Sequence, residues 1–174
     1  KTYAEWQWHF GLGSYDELEA DHEVRMYKQN KSCMITDFPE FTSPFWNMSR
    51  HENAETSKKI DVILGGMETI GSAERSCDVE MMRDTFHTIT GGEYSQLLYK
   101  LFGKDRVEAE LEEFLKFDFF PRVGGGIGMT RMIAALDTLS NPEYKRPVPT
   151  GEYKDPINGR STGEGLIQKG TCFV

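Results

Sequence analysis

Cysteine is scarce in this chain, and the three present, Cys33, Cys77 and Cys172, are odd in number and far apart. With no C-x-x-C pair and no Cys/His zinc spacing, neither a disulfide framework nor a structural zinc site is indicated, and reduced thiols in a cytoplasmic protein are expected. Long apolar runs are missing too. None approaches the ~20 residues that a membrane span requires, and no charged-then-apolar leader opens the chain. A membrane partner is therefore not expected. The first residue is Lys1 rather than Met, so an upstream segment is expected. Positive charge is also short: 20 Lys and Arg face 28 Asp and Glu, a net charge of −8. The basic residues are scattered among carboxylates, which argues against a basic face that coats nucleic acid and leaves only a local patch or another part of the protein for such contacts.

The 174 residues, 38% hydrophobic, 12% aromatic and 28% charged, suffice for one packed globular domain or part of a larger one. Lys1–Gly13 reads as aromatic and irregular, with Tyr3, Trp6, Trp8 and Phe10 covering part of a core. Tyr15, Leu18, His22 and Met26 recur at helical spacing over Tyr15–Tyr27. Ser32–Phe38 reads as a strand that stops before Pro39, and Phe38–Trp46 as a loop lying on the core. Ile60, Val62 and Leu64 alternate up to Gly65-Gly66, and Met67, Thr69 and Ile70 resume beyond it: a β-hairpin, because Gly-Gly accepts the positive φ of a tight turn. Asp78–Ile89, Glu93–Phe102 and Arg106–Phe117 read as helices, and Val107, Leu111, Phe114 and Leu115 form one stripe. From Asn141 onward the chain holds four of the seven prolines, the composition of an extended tail. The expected fold class is α+β with a largely antiparallel sheet, divided into a lead-in (1–31), a core (32–139) and a C-terminal tail (140–174).

A two-residue turn at Gly65-Gly66 pairs Leu64 with Met67, Ile63 with Glu68 and Asp61 with Ile70. Asp61 and Glu68 then leave the same face as diagonal neighbours, within roughly 7–8 Å. Two carboxylates so placed can share Mg²⁺, which takes one or two carboxylates plus substrate phosphates; they can equally be two solvated charges on an exposed sheet face. Strict alternation sends Arg75 to the opposite face. A bulge near Gly71-Ser72 would return it, and without one it is an ordinary surface arginine.

The densest motif is Gly124-Gly125-Gly126-Ile127-Gly128-Met129-Thr130-Arg131. A dinucleotide fingerprint would need glycine where Met129 stands, and a P-loop would need Gly-Lys-Ser/Thr. What remains is a glycine-lined strand turning into a helix with Arg131 in its first turn. Bare backbone of this kind lets a flat ring or ribose approach, and an arginine at the helix start can clamp a phosphate. No Ser-His-Asp or Cys-His arrangement is visible, and His9, His22, His51 and His87 read as surface or packing residues.

The run GGGIGMTR resembles motif 3 of the class II aminoacyl-tRNA synthetases. The Asp61…Glu68…Arg75 spacing resembles the D-x6-E-x6-R of the aspartyl and asparaginyl subgroup, and Ile35-Thr36-Asp37-Phe38-Pro39 with Ser43-Pro44-Phe45-Trp46 resembles its T-D-[FY]-P…P-F segment. The three matches fall in the right order between Ser32 and Leu139. The resemblance implies an ATP-dependent ligase with ATP and Mg²⁺ as cofactors, in which a substrate carboxylate attacks the α-phosphate to give an acyl-adenylate and pyrophosphate. It implies that Asp61 and Glu68 hold the metal, that Arg75 grips the carboxylate or amide of aspartate or asparagine, and that Gly124, Gly126 and Gly128 line the nucleotide pocket. It implies as well that Arg131 contacts the γ-phosphate and that Arg75 and Arg131 carry the catalytic charge neutralisation. A homodimer is implied too.

Thr130 stands where the tRNA ligases have Glu, a form closer to ammonia-dependent asparagine synthetase, so free asparagine made with ammonia is the leading expectation. Aminoacylation of tRNA by an aspartyl or asparaginyl ligase core is the alternative, and a non-catalytic synthetase-like subunit is a third. Motif 1 and the Arg-x-Glu strands of motif 2 are absent, and residues 1–31 are too few to hold them. The expectation is the C-terminal half of such a core.

Overall fold

The computed structural model describes residues 1–52 and 55–141. The expected tail lies outside the described residues from position 142 onward. The elements run α1 (Tyr3–Phe10), α2 (Ala20–Asn30), β1 (Ser32–Pro39), a 3-10 turn (Glu40–Thr42), β2 (Thr56–Leu64), β3 (Met67–Arg75), α3 (Val79–Thr88), a second 3-10 segment (Ile89–Gly92), α4 (Glu93–Phe102), α5 (Lys104–Leu115), β4 (Arg122–Ile127) and α6 (Met129–Ser140). The four strands form one antiparallel sheet in the order β1-β2-β3-β4, so the class is α+β as expected. Among the described residues, no helix is long and apolar enough to cross a membrane.

Lys1–Gly13 is not irregular. Thr2 caps α1 by accepting from the Glu5 backbone N–H (3.1 Å), while Glu5 accepts from the Thr2 N–H (2.9 Å), and Gly11 ends the helix at φ 70°. The T-x-x-E capping box starts a helix here, although four aromatics in ten residues read locally as irregular. The second helix starts later than its apolar spacing implied. Gly13 N–H bonds to the Asp16 carboxylate (2.7 Å) and Asp16 N–H to the Gly13 carbonyl (3.1 Å), which turns the chain before Ala20. Aspartate closing on its own backbone in this way competes with helix.

Two cores hold the elements together. Tyr3, Trp6, Leu18 and Met26 pack with Ile35, Phe38 and Ile63, fixing α1 and α2 to β1 and β2. Trp46, Met82, Phe86, Val107, Leu111 and Leu115 form the other, among α3, α5 and the loop after β1.

The hairpin register departs from the sequence reading at one point. Leu64 pairs with Met67 and Ile63 with Glu68 as expected, but Val62 pairs with Ile70 and Asp61 with Gly71 rather than Ile70. Thr69 is the extra residue of a β-bulge. The bulge foreseen at Gly71-Ser72 therefore lies earlier, and Thr69 fills it: its hydroxyl donates to the Met67 carbonyl (3.1 Å), while its own carbonyl accepts from Gly128 N–H (2.9 Å). A β-branched residue serves here because its side chain bonds locally. Beyond the bulge the alternation is reset, and Ile35, Asp61, Gly71 and Gly126 form one row across all four strands.

Candidate functional site

The reset brings Gly71, Ala73 and Arg75 to the face that carries Lys59 and Asp61, and the β3–β4 register adds Gly124 opposite Ala73 and Gly126 opposite Gly71. Ile35 and Ile63 on this face are sealed in the core. Asp61, paired with Ile35 on one side and Gly71 on the other, therefore stands where the apolar core gives way to glycine-lined sheet, and it is buried.

Glu68 and Asp61 converge over Gly71. A Cβ at Gly71 would lie 3.0 Å from Glu68 Oε1 and 3.4 Å from Asp61 Oδ1, so the missing side chain is what leaves room for both carboxylates. Lys59 Nζ holds the other Asp61 oxygen, Oδ2, at 2.5 Å. Arg131, from the first turn of α6, donates to the Glu68 carbonyl (2.9 Å) and stands 3.9 Å from Glu68 Oε2. Its methylenes lie against Gly128, where a Cβ would meet Arg131 Cδ at 3.3 Å. Arg75 runs along the bare backbone of Gly124, with Nε 3.0 Å from where a Cβ would be; it donates to Asn47 Oδ1 (2.9 Å) and to the Gly124 carbonyl (3.4 Å).

Asp61, Glu68, Arg75, Gly124, Gly126, Gly128 and Arg131, separated by up to 70 positions in the sequence, thus come to one face and its adjoining helix start. The four histidines have partners elsewhere: His9 with Gln29, His22 with the Glu19 N–H, His51 with Asp37 and His87 with Glu108.

Sequence reasoning missed Glu23, Lys59 and Asn47. Glu23 Oε2 accepts from the Glu68 backbone N–H at 2.8 Å across 45 positions of sequence. Burial pushes its carboxyl above the usual range, opposed by the Glu68 N–H and Arg131 and reinforced by the charges of Glu68 and Asp61. Nothing in local spacing marks Glu23. Lys59, two residues before Asp61 on one strand face, was visible by alternation alone.

Among the described residues, no group of three or more His, Cys, Asp or Glu side chains is arranged to hold a metal ion. The donor set is two hard carboxylates over a glycine, which fits Mg²⁺ only if phosphate oxygens and water complete its shell. Two arginines and a strip of bare backbone beside those carboxylates suit a polyphosphate ligand with a flat base.

The human cytoplasmic aspartate–tRNA ligase (Homo sapiens) is 24% identical over 136 residues, covering 75% of this chain and 25% of that protein. A lysine–tRNA ligase from Psychrobacter cryohalolentis is 28% identical over 134 residues, covering 73% and 24%. The chain thus spans about a quarter of the length of the curated relatives it matches. Among solved structures, the Pyrococcus horikoshii asparaginyl-tRNA synthetase complexed with asparaginyl-adenylate aligns over 80% of this chain and 31% of that one, with a TM-score of 0.60 at 19% identity, a likeness of fold. Residues 5–142 match the family described as tRNA synthetases class II (D, K and N), and to that family the chain belongs.

Proposed function

We propose that residues 32–139, with the lead-in 1–31 packed beneath them, form the ATP-, Mg²⁺- and amino-acid-binding half of a ligase core that activates aspartate. The observation that carries this reading is the convergence of Asp61, Glu68, Arg75 and the Gly124–Gly128 strand on one face through the Thr69 bulge. Asp61 and Glu68 would hold Mg²⁺, which supplies charge neutralisation on the triphosphate when bound. Gly124, Gly126 and Gly128 line the pocket for base and ribose, with Arg75 lying along Gly124 and Arg131 along Gly128; Arg131 meets the terminal phosphate, and Arg75 forks onto the amino acid's carboxylate. A carboxylate oxygen of aspartate forms a bond to the α-phosphorus as the bond to the β-phosphate oxygen breaks, and pyrophosphate leaves. The chain's own part is positioning and electrostatics; it needs no nucleophile.

The relatives act on tRNA by name, and tRNA is the acceptor they support. Thr130, in place of the family's Glu, favours a second reading in which ammonia takes the acyl group to give free asparagine. A homodimer in a cytoplasmic setting belongs to the same proposal. The test supplies the protein containing this chain with aspartate, Mg-ATP and labelled pyrophosphate. Aspartate-dependent exchange into ATP is expected, and its absence at saturating substrate would overturn the reading. Parallel reactions with ammonium or tRNA then separate free asparagine from charged tRNA.

A further inference from the structure

The backbone of Glu68 is held from two sides by side chains. Its N–H donates to Glu23 Oε2 at 2.8 Å, and its carbonyl accepts from Arg131 at 2.9 Å. Glu23 reaches this point because α2 is fixed in rotation. Met26 is fully buried in the core, Glu19 N–H donates to His22 Nδ1 (3.0 Å) at the helix start, and a Cβ at Gly66 of the hairpin turn would lie 3.4 Å from Val24 Cα. Glu68 is the residue immediately before the bulged Thr69, where the strand ladder is interrupted and the backbone is least constrained by its neighbours. A tilt of that peptide would carry Glu68 Oε1 off Gly71 and away from Asp61.

We propose that Glu23 is a positioning residue for the cation site: by accepting the Glu68 N–H, it fixes the peptide from which the Glu68 carboxylate is aimed at the point shared with Asp61. This rests on the reading of Asp61 and Glu68 as Mg²⁺ ligands. Glu23 acts through its acceptor oxygen and its reach, not its charge. Outer-sphere partners of metal ligands commonly change metal affinity by about 10- to 100-fold when removed.

The experiment measures aspartate-dependent ATP–pyrophosphate exchange in the complete protein against free Mg²⁺, for wild type, Glu23→Gln and Glu23→Asp. Glutamine keeps an acceptor oxygen at the same reach; aspartate keeps the charge and loses the reach. Glu23→Asp should raise the Mg²⁺ needed for half-maximal rate by about 10-fold, with the KM for aspartate unchanged, while Glu23→Gln should stay near wild type. Hydrogen exchange of the Glu68 amide, measured without substrates, should be fast in Glu23→Asp and slow in Glu23→Gln. Wild-type Mg²⁺ dependence in Glu23→Asp, or equal impairment of both variants, would overturn the assignment. No exchange activity in the wild type would instead remove the ligase reading beneath it, and the Glu68 amide data would tell the two failures apart.

Discussion

At the scale of residues, the candidate site depends on which oxygen faces which cation. Asp61 is buried with one oxygen on Lys59 and the other over Gly71. Asp61→Asn and Glu68→Gln keep nearly the same shape and remove one charge each, so each should lower Mg-ATP-dependent exchange at least about 10-fold with little change in thermal midpoint. Exchange left intact in both variants would remove the metal assignment. Arg75 makes a different claim. Its guanidinium lies between Asn47 and the Gly124 carbonyl, and lysine cannot reproduce a planar fork. Arg75→Lys should reduce kcat/KM for aspartate by about 10- to 100-fold and leave the KM for ATP nearly unchanged. Equal losses for both substrates would place Arg75 on the nucleotide instead.

At the scale of elements, the hairpin turn and α6 are in direct contact. Gly65 sits at φ 61°, and a Cβ there would meet Ala135 Cα at 2.8 Å; Gly11, at φ 70°, has nothing within 4 Å. Gly11→Ala should cost about 1 kcal/mol, from backbone strain alone. Gly65→Ala adds a backbone clash and should cost about 2–4 kcal/mol in denaturant unfolding. Equal costs would show that α6 is not packed on the turn.

The α3–α5 pair carries a pH dependence. Burial works against charge on His87, but the Arg83 carbonyl and the Glu108 carboxylate outweigh it and raise its pKa above the usual value. Glu108 in turn is held low by the Tyr99 hydroxyl and by His87, and Tyr99 is pushed up to about 12 by burial and Glu108. A histidine raised in the folded state contributes stability that is fully present below its unfolded pKa of about 6.5 and is lost as pH rises through the folded value. The wild type should therefore exceed His87→Gln in stability by more at pH 5.5 than at pH 9. A pH-independent difference would contradict this. Much of this level was legible beforehand: the hairpin, α3 to within a residue or two, α4 in full, and the glycine strand with its helix. The capping box of α1 is present as T-x-x-E, masked by the aromatic run that follows it. The bulge was expected at a glycine because glycine is the usual local signal; Thr69 took that place through bonds to Met67 and Gly128, the second of which lies outside any local window.

At the scale of the whole molecule, the two sheet faces differ in kind. The face with Asp61 packs Ile35 and Ile63 into the core and, beyond them, holds charge and bare glycine. The other carries the apolar row Met34, Val62, Ile70 and Ile127 across all four strands, with Met34 and Ile127 each 54% exposed and Val123 75% exposed on the edge strand β4. An edge strand that exposes Val123 and Ile127 invites association. Residues 1–174 expressed alone should aggregate or self-associate, and Val123→Lys with Ile127→Lys should raise solubility. A monodisperse, soluble wild-type monomer would contradict this. The alternation of Ile60, Val62 and Leu64 marks that face in the sequence, but not how much of it is covered, because strands covered on both sides and strands covered on one read alike where β-branched residues run together.

The deciding measurement concerns where nucleotide and metal bind. Crystals of the complete protein grown with Mn²⁺ and a non-hydrolysable ATP analogue give the cation position directly from anomalous scattering. One peak should coordinate both Asp61 and Glu68 above Gly71, with the nucleotide along Gly124–Gly128 and its terminal phosphate at Arg131. Nucleotide bound away from β4, or a cation that touches neither carboxylate, would contradict the assignment of this face.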